Sequence, residues 1–248
     1  MILKDYDCTS LLEDLKEFHI ELSENQVNQF MTYYELLVEW NSFMNLTAIT
    51  EFDEVMKKHF VDSVSLMNAL PDIKEKEYTL IDVGTGAGFP GIPLKIVFPK
   101  LKVVLLDSLN KRVFFLNEVI NKLELTEIEA VHGRAEDFAK RKEYRETFDL
   151  CVSRAVANLA TLSEYCLPFV KIGGSFISYK SEKITEEYEN AKEAIKVLGG
   201  KYDRQVDFNL PSSDIYRNLF VIQKVKNTPG KFPRKAGLPS KEPIMKKN

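Results

Sequence analysis

TLIDVGTGAGFPG, residues 79–91, is a short apolar run that ends on an acid and breaks into glycines and then prolines. The pattern predicts a strand over 79–83, a tight loop, and a helix starting near Pro90 and Pro93, where the first-turn N–H groups have no helical partners in any case. Glycine at such a crossing allows unusual backbone dihedrals and lets a ligand approach the main chain. Two registers fit. Gly84, Gly86 and Gly88 suit a loop that cradles the methionine end of S-adenosylmethionine. Gly86, Gly88 and Gly91 spell G-x-G-x-x-G, the dinucleotide fingerprint. Many sharp strand–helix turns use glycine, so the loop by itself leaves both readings open.

Outward from this loop, short apolar runs alternate with amphipathic stretches. Strands are predicted at 79–83, 102–107, 128–133, 148–153 and 174–180, with helical periodicity over 109–123, 158–170 and 184–198. Such alternation implies an α/β fold with a mostly parallel sheet covered by helices on both faces. VDFN and LFVIQKV add two strands joined by a short polar loop. A loop of that length joins only antiparallel neighbours, so the sheet ends in a hairpin.

Residues 1–75 read as helical. Leu11, Leu12, Leu15 and Phe18 recur at helical spacing, Ser23 and Gln26 make a capping box for a helix carrying Val27 to Trp40, and a third helix is predicted from about Asp53 to Leu70. From Lys226 onward, NTPGKFPRKAGLPSKEP holds four prolines and two glycines in 17 residues, which excludes a helix or a central strand. The expected organisation is a helical extension over 1–75, a catalytic domain over 76–225 and a basic tail over 226–248.

The 248 residues have an ordinary globular composition, 44% hydrophobic and 29% charged, and no apolar run long enough to span a bilayer. The first residues show no apolar signal core, so a cytoplasmic location is expected. Cys8, Cys151 and Cys166 stand far apart, as do His19, His59 and His132; neither a disulfide framework nor a metal site follows. The net charge of −3 conceals an asymmetry. Residues 1–75 carry 5 basic and 15 acidic side chains, whereas residues 224–248 carry 8 basic and one acidic. A basic tail on an acidic chain points to a local polyanion contact.

Acids at three strand ends weigh on the cofactor. Asp82 closes the first strand, where a carboxylate would repel a pyrophosphate but suits the cationic amino and sulfonium groups of S-adenosylmethionine. Asp107 ends the second strand, 21 residues after Gly86, where an acid can hold both ribose hydroxyls in either cofactor class. GRAEDF follows the third strand and offers Glu136 and Asp137 near an adenine ring. Acids at the C-terminal ends of consecutive strands together favour S-adenosylmethionine. The loop's later G-x-G-x-x-G register is then an accident of a glycine-rich turn, with Gly91 entering the helix.

The order WNSFMNLTAIT (40–50), HFVDS (59–63), DVGTGAGFPG (82–91), LLDSLNKRVFFL (105–116), HGRAEDF (132–138), SRAVANL (153–159), LPFVKIGG (167–174) and TPGKFPRKAGLPSKEP resembles the bacterial 16S rRNA guanine-N7 methyltransferase G family over nearly the full length. The resemblance implies a class I Rossmann-like methyltransferase with an N-terminal helical extension. Its substrate would be guanine 527 in the 530 loop of 16S rRNA, in the small ribosomal subunit or its precursor. Matched by position, Gly84, Phe89, Asp107, Ser108 and Leu109 would hold the cofactor, Ala135 and Glu136 would flank the adenine, and Arg154 would close the site. Two departures stand out. Gly230 and Phe232 replace a lysine and a tyrosine in the tail, and Ser181 follows Lys180 where glycine is usual.

Guanine N7 carries a free lone pair at neutral pH, so its methylation needs no general base. In keeping with that, the chain lacks the D/N-P-P-Y/F tetrapeptide used on exocyclic amino groups. Cys151 and Cys166 read as buried structural thiols rather than nucleophiles. Catalysis would rest on proximity and orientation, with Arg154 holding the cofactor or the target base. N7 is inaccessible in a regular A-form helix, so the target lies in a loop or is extruded. Lys180, Lys231, Arg234, Lys235 and Lys241 are the expected phosphate contacts, with Phe232 stacking on a base. His59, Asp62, Trp40 and Asn45 read as packing and capping residues. A monomer is expected. Two other classes remain: an NAD-dependent oxidoreductase built on Gly86, Gly88 and Gly91, disfavoured by Asp82, and a non-catalytic RNA-binding assembly protein on a methyltransferase fold.

Overall fold

A computed structural model describes residues 6–154, 157–182 and 184–245; Ala155 and Val156 of the SRAVANL motif lie outside them. Seven strands form one sheet in the order β3-β2-β1-β4-β5-β7-β6. They are β1 Thr79–Val83, β2 Lys102–Asp107, β3 Ile128–His132, β4 Phe148–Arg154, β5 Val170–Lys180, β6 Gly200–Asn209 and β7 Tyr216–Lys224. The first five run parallel; β7 pairs antiparallel with both β5 and β6. The expected hairpin is therefore present, with β7 tucked between β5 and the edge strand β6.

The helices are α1 Thr9–Glu17, α2 Glu24–Met44, α3 Phe52–Val55, α4 Asp62–Val64, α5 Gly91–Val97, α6 Asn110–Lys122, α7 Ala135–Phe138, α8 Leu159–Cys166, α9 Thr185–Val197 and α10 Leu238–Lys241. Ser23 and Gln26 make the capping box of α2 in both directions, and Asn45 ends that helix in the left-handed conformation. The single third helix expected in the sequence is instead a broken run. A π segment, Met56–Val61, separates α3 from α4, and a 3-10 turn, Ser65–Asn68, follows. The tail also departs from expectation. It contains one helical turn, α10, with Pro239 in the first turn, where a missing N–H costs nothing.

Alternation along the strands divides the core into two layers. Leu80, Val152, Ile177, Leu219 and Val221 face a cluster shared with α1, α2, α5, α6 and residues 55–69. Ile81, Cys151, Phe176, Phe220 and Ile222 face α8 and α9, and Phe232 of the tail joins this second cluster. The N-terminal helices and the tail thus cover opposite faces of the sheet. Among the described residues no helix is long and apolar enough to cross a membrane.

Candidate active site

The sheet changes direction between β1 and β4, the position where open α/β sheets bind ligands beyond their strand ends. The glycine loop leaves β1 at this point. Gly84, Gly86 and Gly88 all have positive φ. A Cβ on Gly88 would lie 2.6 Å from both Ile92 and the Tyr33 hydroxyl, so packing excludes a side chain there. At Gly86 a Cβ would meet nothing within 4 Å, which marks the open side of the loop.

Asp82 organises this loop from beneath. Its Oδ2 accepts from the Thr85 hydroxyl at 2.7 Å and from the Gly91 N–H at 2.9 Å, while buried Oδ1 has no partner. Burial pushes the carboxyl up to about 7, against the pull of the Thr85 and Gly91 bonds. The expectation of direct contact with a cationic ligand is corrected accordingly: Asp82 is fully buried and spends one oxygen on the loop rather than lining the cleft. Gly91 is explained by the same packing, since a Cβ there would meet Leu105 at 2.3 Å. Helix α2 braces the loop from the other side, where the Tyr33 hydroxyl donates to the Ala87 carbonyl.

Asp107 is buried at the end of β2, accepting from the Gly86 N–H at 2.9 Å and the Leu109 N–H at 2.8 Å, with Arg112 at 3.3 Å. A carboxylate offers about four lone-pair sites, so capacity remains for hydroxyl donors. A cavity of about 360 Å³ opens beside it, lined by Gly84, Ser108, Ala135 and Glu136 from the expected cofactor set. Arg134, Tyr165, Gly237 and Ser240 also line it. Leu109 is exposed at the start of α6. Glycine backbone, the Glu136 carboxyl in the wall, buried Asp107 beside it and a partly apolar lining fit a nucleoside such as S-adenosylmethionine.

Phe89 and Arg154 fall elsewhere. The Phe89 ring is buried against His59, with centroids 4.5 Å apart and planes 19° apart, and against Tyr33. It braces the loop rather than lining the small cavity. Arg154, at the end of β4, faces a second cavity of about 780 Å³ together with His59, Asp62, Lys180 and Arg217. Its guanidinium lies 5.1 Å from the Phe89 ring and donates to Asp62 at 2.9 Å and to His59 Nδ1 at 3.3 Å. A guanidinium only donates, so Nδ1 accepts and Nε2 carries the proton, which reaches the Thr47 hydroxyl oxygen at 2.8 Å. Burial, reinforced by the Arg154 charge, holds the imidazole down to about 3, so His59 is neutral across the physiological range. The other oxygen of Asp62 accepts from Arg217 at 2.9 Å.

His59 and Asp62 therefore do more than pack; they fix Arg154. The sign in the sequence is their three-residue spacing, which puts both side chains on one helical face toward the larger cavity. Trp40 does pack, against Phe43 and Phe115. Cys151 and Cys166 are fully buried, and burial drives the Cys151 thiol well above its ordinary value, away from nucleophilic chemistry.

The expected RNA contacts divide. Lys231, Lys235 and Lys241 are exposed. Lys180 lines the larger cavity, paired with Glu187 at 2.6 Å. Two residues are turned inward, contrary to expectation. Phe232 is only 6% exposed and sits in the second core layer, so it offers no face for stacking. Arg234 forks onto buried Glu164, with contacts of 2.7 to 3.1 Å, which leaves its guanidinium committed within the fold.

The sequence profile of the rRNA small subunit methyltransferase G family matches residues 26–215. The ribosomal RNA small subunit methyltransferase G of Lachnoclostridium phytofermentans is 56% identical over 241 residues, covering 97% of this chain and 99% of that protein. The protein of the same name from Alkaliphilus metalliredigens is 56% identical over 244 residues, covering 98% of each. Among solved structures, MtNAS in complex with MTA and tNA shares the fold at 14% identity, with a TM-score of 0.54 over 80% of this chain and 71% of that one. On these grounds the chain belongs to the rRNA small subunit methyltransferase G family.

Proposed function

We propose that this chain transfers a methyl group from S-adenosylmethionine to N7 of guanine 527, in the 530 loop of 16S rRNA, acting as a monomer on the small subunit or its precursor. Family membership carries the coarser reading, S-adenosylmethionine-dependent methylation of small-subunit rRNA. Bound in the smaller cavity, the cofactor supplies an electrophilic methyl on a sulfonium. Everything else falls to the chain. Gly84, Ser108, Ala135 and Glu136 hold the nucleoside, with Asp107 behind them, and Asp82 and Tyr33 fix the loop that presents it.

The observation that favours a nitrogen with a free lone pair is the state of the groups around Arg154. His59 has one ring nitrogen accepting and the other donating, and Asp62 has each oxygen on an arginine. Neither is poised to remove a proton, and N7 requires no such removal. In this reading Arg154 orients the base in the larger cavity, where guanine presents O6 beside N7 to a donor. Lys180, Lys231, Lys235 and Lys241 supply phosphate contacts.

The test is to incubate the chain with labelled methyl donor and unmethylated small subunits, then locate the product by mass spectrometry. The label is expected as 7-methylguanine in the 530 loop. Label at any other nucleotide, or none, refutes the assignment.

A further inference from the structure

The tail does not trail away from the sheet. It reaches the wall of the smaller cavity, on the side formed by α7. Arg234 is anchored on Glu164, and the Pro239 carbonyl accepts from the Thr161 hydroxyl at 3.1 Å, so α8 grips the segment at both ends. Between these anchors the Gly237 N–H donates to Glu136 Oε1 at 2.7 Å. Glu136 is almost wholly buried, and among the described residues its Oε2 makes no hydrogen bond. One oxygen of a buried acid is thus fixed by the tail, and the other is left for a donor in the cavity.

We propose that the Gly237 amide is a positioning group for adenine recognition. It holds Glu136 so that the free oxygen accepts from the exocyclic amino group of the nucleoside, and the segment around it closes that end of the cavity. The inference rests on the proposed cofactor site and deepens it. A carboxylate accepts and never donates when ionised. It therefore favours a 6-amino base and disfavours a 6-oxo base, whose oxygen would face it. Without the Gly237 bond, Glu136 is free to turn, and the preference for the amino group falls. Gly237 has φ +81°, and a Cβ there would have open space, with Arg134 Nη1 at 4.0 Å as the nearest atom. Backbone conformation, not crowding, is what the position demands.

The experiment measures affinities for S-adenosylhomocysteine and its 6-oxo counterpart S-inosylhomocysteine by titration calorimetry. Four proteins are compared: the full chain, Gly237→Asn, Gly237→Pro, and a chain ending at Lys235 that keeps Phe232 and Arg234. The full chain is expected to prefer the amino ligand about 10- to 100-fold, the worth of a hydrogen bond to a charged group. Gly237→Asn, which tolerates the left-handed conformation and keeps its N–H, should retain that preference. Gly237→Pro lacks the donor and also cannot adopt the left-handed conformation, and the shortened chain lacks the segment; in both the ratio should fall toward one. An undiminished ratio in the shortened chain overturns the proposal for the tail alone. A full chain that binds both ligands equally also overturns it. Binding of neither ligand by the full chain would overturn the cofactor site as well.

Discussion

Arg154 lies beside Phe89 of the glycine loop, and its replacement tests the proposed separation of orientation from cofactor binding. In Arg154→Ala, Asp62 keeps its bond to Arg217, so no buried acid is stranded. Single-turnover methyl transfer at saturating donor is expected to fall about 10²-fold, the scale of a misplaced reacting group, while donor affinity changes by less than about threefold. Undiminished transfer would remove Arg154 from the site. Asp82 and His59 bear on stability instead, with opposite proton balances. Asp82 is raised from 3.8 to about 7, so its contribution is fully present below about pH 4 and is lost as pH rises through about 7. His59 is lowered from 6.5 to about 3, so its contribution is present above about pH 6.5 and is lost as pH falls toward 3. Between pH 4.5 and 6 the folded chain holds one proton that the unfolded chain lacks and lacks one that it holds. The two slopes, each about 1.4 kcal/mol per pH unit, cancel. Urea denaturation should show Asp82→Asn gaining stability as pH rises through this window and His59→Gln losing it. Slopes of the same sign in both variants would contradict this balance.

Among the elements, α2 is where local sequence and site meet. Its cap was legible because Ser23 and Gln26 satisfy each other's backbone donors, a signal contained in four residues. Its role was not legible, because the bond from Tyr33 to the Ala87 carbonyl joins residues 54 apart. Tyr33→Phe should cost about 1–3 kcal/mol by leaving a buried carbonyl unpaired. It should also weaken S-adenosylhomocysteine binding several-fold, because the loop loses its brace. Thermal denaturation and calorimetry on the same variant check both, and unchanged binding would free α2 of any part in the site. The strands tell the same story of range. β1 to β4 are legible almost to the residue: β1, β2 and β4 are largely buried apolar runs, and the edge strand β3, IEAVH, shows through its alternation. β5 begins at Val170, earlier than the expected 174–180, and helix α8 stops at Cys166, short of the expected helical stretch over 158–170. Gly173 and Gly174 lie within the strand. In the fold they lie at an irregular pairing with β4, where a Cβ on Gly174 would meet the Asp149 carbonyl at 2.4 Å. β6 is longer than VDFN because an edge strand can carry Lys201 and Arg204 in its ladder, with Asp203 at the register shift between Tyr202 and Arg204. The π segment has no local mark in the sequence.

At the scale of the molecule, the charge asymmetry of the sequence becomes a polarity of the fold. The acidic N-terminal helices cover one face of the sheet, and the basic tail is anchored on the other through Phe232. Composition points to a polyanion contact at the tail; it could not tell which side chains the fold would consume. Phe232 and Arg234 are used as anchors, and Lys231, Lys235 and Lys241 are left facing solvent. Such a separation orients an approaching polyanion toward the tail face before any contact forms. Each lysine that neutralises a phosphate of single-stranded RNA contributes about 0.7 to the slope of log affinity against log salt. Replacing Lys231, Lys235 and Lys241 together by alanine should therefore flatten that slope by about 2, measured between 50 and 200 mM salt on an rRNA fragment carrying the 530 loop. The unfolding temperature should hold, because Phe232 and the Arg234–Glu164 pair are untouched. As the counterpart, neutralising exposed Glu13, Glu21 and Glu24 to glutamine on the opposite face changes net charge by the same amount. If net charge alone governed binding, the second set would strengthen affinity as much as the first weakens it. If the lysines touch RNA, only the first set moves the salt slope, because only contacts that release counterions enter it.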